Sequence, residues 1–247
     1  MERRRRRRKK RIRYVGRRFS IRTMLIFLML VLTVFFFLHS PYYNVKFIAV
    51  SGNSTLSKPR VRALSGITRG SNIFRLNTKE IEEKVLLDPF VASVEAKRDL
   101  PDTVVINIVE HESVAVLPYS GGFMEVNGEG LCLSNRTEIG NLNIPVVSGL
   151  GLNKRTPPGA QVENEKLPLA LKILELSNKN GIIAEVDVHN PSKLYVLTFA
   201  KTKILLGNQE QLEEKISLAL DITSKVPNAQ NIDVRFPKSP VYTNRPE

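Results

Sequence analysis

Cysteine, histidine and tryptophan are nearly absent: the 247 residues include one Cys, three His and no Trp. Cys132 alone cannot close an intramolecular disulfide, and in the run LCL it reads as a small core side chain rather than a nucleophile. The histidines do not assemble. His39 borders a long apolar run, and His189 precedes Asn190-Pro191 in a turn, where a solvated imidazole is usual. His111-Glu112 opens like a zinc-protease helix, yet Ala115 stands where the second ligand is required, and the segment alternates as a strand. The chain also lacks a Gly-x-Ser-x-Gly elbow, a Walker loop and an intact Gly-x-Gly-x-x-Gly; Gly149 and Gly151 have no third glycine and no helix after them. No catalytic residue, no metal site and no cofactor is expected.

Acid is missing from the amino terminus. Up to Arg22 there are thirteen basic residues, from Arg3 through the run to Lys9 and Lys10 and on to Arg22, against Glu2 alone, a net of +12 in a chain of +13. Everything after Arg22 is therefore almost neutral, with 24 basic and 23 acidic residues. A pI near 10 would suit a nucleic-acid binder. Because the excess is confined to the tail, it reads instead as a topology signal that grips anionic headgroups, and no nucleic-acid partner is expected.

A long apolar run comes directly after the tail. Residues 24–38, MLIFLMLVLTVFFFL, carry no charge, and Thr33 is their one polar side chain. As a helix they cover about 22 Å, short of the roughly 30 Å hydrocarbon core. Counting from Phe19 gives twenty residues with one charge, Arg22, whose stem can snorkel. Tyr42 and Tyr43 stand where an aromatic belt would place them. The reading is a single membrane span at 23–43 behind a cytoplasmic basic tail at 1–22, with the remainder exported. HSPYYN offers no small-x-small cleavage site, so the segment is expected to stay as an anchor.

From Asn44 the pattern becomes strand, helix, helix, strand, strand. VKFIAV ends at Ser51-Gly52-Asn53; Ser57, Pro59 and Gly66 are the start and stop signals of a first helix. Asn77 and Glu80 resemble a capping box for a second helix over 78–87, with Ile81, Val85 and Leu86 on its buried face. Val94 and Ala96, then Val104, Ile106 and Ile108, alternate about the turn Asp99-Leu100-Pro101-Asp102. This order implies three strands covered on one side by two helices. Residues 113–247 read as a second domain with strands in VAVL, FMEV, LCL, NIPVVSG, IIAEVDVHN, KLYVLTFA, TKILLG, NIDVRF and PVYT. It has helices over 164–179, closed by Asn180-Gly181, and over 209–225.

The runs FIAVSGNSTLSKPRV, GITRGSNIFRL and DPFVASVEAKRDLPDTVVINIVEHESVAVL resemble the POTRA domain of the bacterial division proteins FtsQ and DivIB. LLGNQEQLEEK and NIDVRFPKSPVY resemble the β domain of that family. The resemblance implies an α+β chain: an N-terminal transmembrane helix, a β-α-α-β-β POTRA domain at 44–112, and a mostly antiparallel β domain with two helices at 113–247. It implies a bitopic, non-catalytic scaffold of the cell membrane, at the division septum, that binds FtsB-like and FtsL-like partners and other divisome membrane proteins and helps control septal peptidoglycan synthesis. Carried over residue by residue, the partner-binding set is Arg235 and Phe236, with Tyr242 in the strand after the proline turn. Arg235 would bond a partner carboxylate and Phe236 would be buried by the partner, unless Phe236 belongs to the core. Two other readings stay open. One is a membrane-anchored cell-envelope hydrolase using a carboxylate pair. The other is a POTRA-type chaperone of outer-membrane assembly, which would usually continue into a barrel that 113–247, with two helices, does not provide.

Overall fold

The computed structural model describes residues 20–140, 143–177 and 181–244. Most of the basic tail, and the expected helix end at Lys179 and Asn180, lie outside the described residues. Helix α1, Ile21–Leu38, starts at Ser20, whose Oγ accepts from the Arg22 N–H at 3.3 Å. Its 18 residues have a mean hydropathy of 2.5, and none is buried by the rest of the chain. Among the described residues it is the one helix long and apolar enough to cross a membrane. Its rise is about 27 Å.

The first module is built from β1 Phe47–Ser51, α2 Lys58–Ser65, α3 Thr78–Leu86, β2 Val91–Asp99 and β3 Thr103–Glu110. β3 lies between its neighbours, antiparallel to β2 and parallel to β1. Ile48 and Val50 of β1 and Val104, Ile106 and Ile108 of β3 bury against Val61 of α2 and Ile81 and Val85 of α3. The α2 signals act as expected: Ser57 Oγ accepts from the Arg60 N–H, and Gly66 takes a left-handed φ of 65°. Two details differ from expectation. Asn77 makes no capping bond with its side chain, and Glu80 turns instead to Lys84 one turn on, at 2.7 Å. Leu86 is exposed, because helical phase sets it about 100° round from Val85, off the face that Ile81 and Val85 bury. Gly52 is fixed by space as well as by its φ of 79°: a Cβ there would lie 2.0 Å from the Ile108 carbonyl oxygen.

The second module is a nine-stranded sheet. Its strands are β4 Ala115–Tyr119, β5 Gly122–Val126, β6 Cys132–Arg136, β7 Val146–Ser148, β8 Ile183–Asp187, β9 Leu194–Thr198, β10 Lys203–Gly207, β11 Ala229–Asp233 and β12 Val241–Asn244. They run in the order β12-β11-β10-β9-β8-β7-β4-β5-β6. Pairing is antiparallel except at β4/β7, β7/β8 and β10/β11. Helices α4, Leu167–Ser177, and α5, Leu212–Lys225, pack on one face and on each other. Both begin later than expected. Asn164 holds a turn ahead of α4, its Oδ1 accepting from Lys166 N–H at 3.0 Å, and Gln211 sits in a left-handed conformation ahead of α5.

β6 joins the modules. Cys132 enters the core of the large sheet, while Leu133 is buried with the core of the first module and Leu131 packs against it. At the same boundary Glu110 fastens the loop before α2, its carboxylate accepting from the N–H groups of Ser54, Thr55 and Leu56 at 2.7–3.0 Å and from Ser54 Oγ at 2.9 Å. Burial works against the charged form, but these donors outweigh it and hold the Glu110 carboxyl below the usual carboxylate range. A depressed pKa stabilises the fold above the unfolded-state value and loses that contribution as pH falls through the folded-state value. Glu110→Gln is therefore expected to lower the melting temperature at neutral pH, with the difference closing on acidification, as scanning calorimetry across pH would show.

Candidate functional site

The two ends of the large sheet are treated differently by the chain. At the β6 end, Cys132 N–H donates to Ala160 O at 2.9 Å and Cys132 O accepts from Gly159 N–H at 2.7 Å. Asn135 Nδ2 adds a bond to Thr156 O at 2.9 Å, and Leu131 bridges Gln161. Residues 156–161 thus cover the start of that edge. At the other end β12 pairs with β11 alone, and no described residue bonds its outer side. Every second residue of an edge strand directs its N–H and C=O outward, which is a template for another strand. Val241, Tyr242, Thr243 and Asn244 are all exposed and carry no charge to blunt it.

The three sequence-predicted residues gather at this edge. Tyr242 stands opposite Ile232, so it lies on the helix-covered face of the sheet, but beyond the cover, at 50% exposure. Val241 and Thr243 lie on the opposite face, across from Asp233 and Asn231, and Asn231 Nδ2 donates to Thr243 Oγ1 at 3.2 Å. Arg235 and Phe236 fall in the turn between β11 and β12, a correction to the expected strand over 231–236. The cause is Asp233: its Oδ1 accepts from Arg235 N–H at 3.1 Å and breaks the strand off into a turn. Phe236 is 72% exposed, so it is not a core residue.

Arg235 is held in place rather than loose. Its Nε lies 3.0 Å from each Asp233 oxygen and its Nη2 lies 2.6 Å from Oδ2. The hydrogen bond to Arg235 keeps the Asp233 carboxyl below its ordinary range, and Asp233 raises the guanidinium in return. The Arg235 stem lies over Gly207, where a Cβ would come within 3.0 Å of its Cγ. A groove of about 300 Å³ runs beside Phe236 between Asn208, Gln211, Lys215 and Lys238. Lys215 is buried beneath it, with Nζ donating to Asn208 O at 3.1 Å and Oδ1 at 2.8 Å; burial lowers its pKa. Lys215 does not stand out in the sequence as part of this edge, and Val241 lies in the expected strand PVYT without being singled out as a site residue. Val241 carries one signal, a β-branched residue directly after Pro240.

Elsewhere the groups with chemical potential are tied into the fold. Glu185 and Asp187 share the Ser148 hydroxyl, at 2.6 and 3.2 Å. Glu125 accepts from Ser113, Ser134 and Arg136. His111 Nδ1 contacts Asn127 Nδ2 at 3.2 Å, and His189 is exposed. Burial, with Glu125 nearby, pushes the Cys132 thiol up to about 11, so it is not a thiolate nucleophile at neutral pH. Among the described residues no group of three or more His, Cys, Asp or Glu could hold a metal ion.

An apolar N-terminal helix, a β-α-α-β-β module and a β-rich second module give a chain with a POTRA-type domain ahead of a β-rich one. Residues 43–111 match the POTRA domain, FtsQ-type. Over 209 residues the chain is 26% identical to cell division protein DivIB of Clostridium acetobutylicum, covering 82% of this chain and 84% of that protein. It is 25% identical to DivIB of Clostridium tetani over 80% and 76% of the two chains. To cell division protein FtsQ of Syntrophotalea carbinolica it is 29% identical over 60% and 52%. The chain carries an FtsQ-type POTRA domain and is a relative of the cell division proteins DivIB and FtsQ.

Because Phe236 and Tyr242 lie outside the core, Phe236→Ala is expected to change folding stability by less than about 0.5 kcal/mol. Thermal melting of the purified full chain in detergent checks this; a loss comparable to that of a core deletion would contradict the placement.

Proposed function

We propose that this protein is a bitopic, non-catalytic scaffold of the bacterial division machinery, and that β12 is where it takes its partner. The observation that carries the reading is the contrast between the two sheet ends: one covered at Leu131 and Cys132 by 156–161, the other left open among the described residues and uncharged. A partner strand added to β12 gains main-chain hydrogen bonds along its length, and its alternating side chains meet Tyr242 on one face and Val241 on the other. Phe236 supplies an aromatic anchor beside the groove. Arg235, already oriented by Asp233, meets a partner carboxylate with little further ordering.

The partner in this reading is the carboxy-terminal part of an FtsB-like protein that comes with an FtsL-like one. The names of the relatives support a place in cell division. The chain divides into a cytoplasmic tail at 1–22, a span at 23–43, a POTRA domain at 44–112 and a β domain at 113–247, exported at the septum. The excess of positive charge before α1 supports this orientation. Span, POTRA domain and β domain each add a contact that is weak alone, and by holding the partners together they help control septal peptidoglycan synthesis. The scaffold needs no cofactor.

Pull-down of the full chain with an FtsB-like peptide tests the reading. Wild type is expected to bind. Arg235→Glu and Phe236→Ala are each expected to weaken binding about tenfold or more, with melting retained. Binding that survives both substitutions would place the partner elsewhere, and a wild type that binds no such peptide would remove the scaffold role.

A further inference from the structure

The junction between α1 and the first module is not a free linker. Asn72 Nδ2 donates to the Leu38 carbonyl oxygen at 2.7 Å, supplying a partner to one of the carbonyls that a helix end leaves open. Val45 N–H donates to Ser71 O and Gly70 N–H to Val45 O, both at 2.9 Å, and Asn44 bridges Asn72. Aromatic rings continue the join: Phe37 lies 5.2 Å from Tyr43, and Tyr43 lies 5.0 Å from Phe74. Tyr43, expected in an aromatic belt, is instead buried in the core of the first module, while Tyr42 stays exposed. From the other side Arg98 grips the same loop, with Nε to Ile73 O at 3.0 Å and Nη2 to Leu76 O at 2.5 Å.

This fixes the height of the loop at 68–75. If α1 spans the bilayer, its last carbonyls lie where hydrocarbon gives way to headgroups, and the loop bonded to them lies there too. Arg69, Phe74 and Arg75 of the loop are exposed, as is Tyr42 beside it. Neither arginine has an ion-pair partner among the described residues, whereas the nearby carboxylate, Asp102, is already matched by Lys46 at 2.9 Å. The surface therefore offers unmatched guanidinium groups among aromatic rings, the composition that suits phosphate above an acyl boundary.

We propose that the loop at 68–75 docks on the outer headgroups of the bilayer that anchors the chain, with Arg69 and Arg75 binding phospholipid phosphate. The first module is thereby held against the membrane by two attachments, the α1 junction and the loop. The proposal rests on the reading of α1 as a span. It sets the orientation from which β12 is presented.

The test uses the full chain in bilayers of phosphatidylcholine with and without phosphatidylglycerol, spin-labelled at one added cysteine; buried Cys132 is spared. Met29→Cys reports on α1, Thr68→Cys on the loop, and Val109→Cys on the far end of β3, about 20 Å beyond the level of Phe47. Labels at 29 and 109 are expected to read hydrocarbon and water, judged by access to oxygen and to a water-soluble nickel complex. The label at 68 is expected to read between them and to gain protection from nickel when phosphatidylglycerol is present. Arg69→Glu with Arg75→Glu should abolish that gain while the label at 109 is unchanged. A label at 68 that matches the one at 109 in both lipids, with 29 in hydrocarbon, overturns the docking and leaves the span. A label at 29 that reads water removes the span and the docking together.

Discussion

The structure depends on one requirement: each backbone N–H and C=O in a sheet needs a partner, and an open nine-stranded sheet has two edges where partners run out. The chain meets it at the start of one edge by folding 156–161 against Leu131 and Cys132. At the other edge nothing comparable follows among the described residues. Val241–Asn244 is instead a short strand of high β propensity without the charges that usually guard an edge. The features placed around β12 are consistent with use. Asp233 ends β11 and orders Arg235, Gly207 lets the Arg235 stem lie close, and the turn lifts Phe236 into solvent.

Attachment at the opposite end of the molecule is as closely specified. Asn72, Tyr43 and Phe74 bind the first module to the last turn of α1, and β6 binds the second module to the first by lending Leu133 to its core. Removing a buried leucine at such a joint costs about 2–5 kcal/mol in comparable cores. The same change here would loosen two modules rather than one. Packed side chains rather than an open tether therefore connect α1 to the first module and the first module to the second.

Local signals in the sequence are legible where short-range physics decides. Ser57 and Gly66 bound α2, and the alternation of Val104, Ile106 and Ile108 marks the buried face of β3. Long-range pairing is not legible in the same way. LCL suggests a core strand, but not that Cys132 and Leu133 serve different cores, because alternation assigns faces without naming what covers them. Tyr43 resembles an interfacial aromatic by its distance from α1, and packing against the first module's core, with Phe37 and Phe74 beside it, buries it. At the edge, the family resemblance supplies Arg235, Phe236 and Tyr242. The exposure of Phe236 comes from the Asp233 turn, a side chain to backbone contact two residues long that periodicity does not reveal.

Amide hydrogen exchange along 241–244, in the full chain alone and with the FtsB-like peptide, is the most direct measure of whether β12 is a docking edge. In the free chain the amides that point away from β11 should exchange rapidly while those bonded to it are slow. With the peptide bound, the outward amides should become protected, and no other strand should gain comparable protection. A peptide that binds while the outward amides of β12 exchange as fast as before would contradict the account.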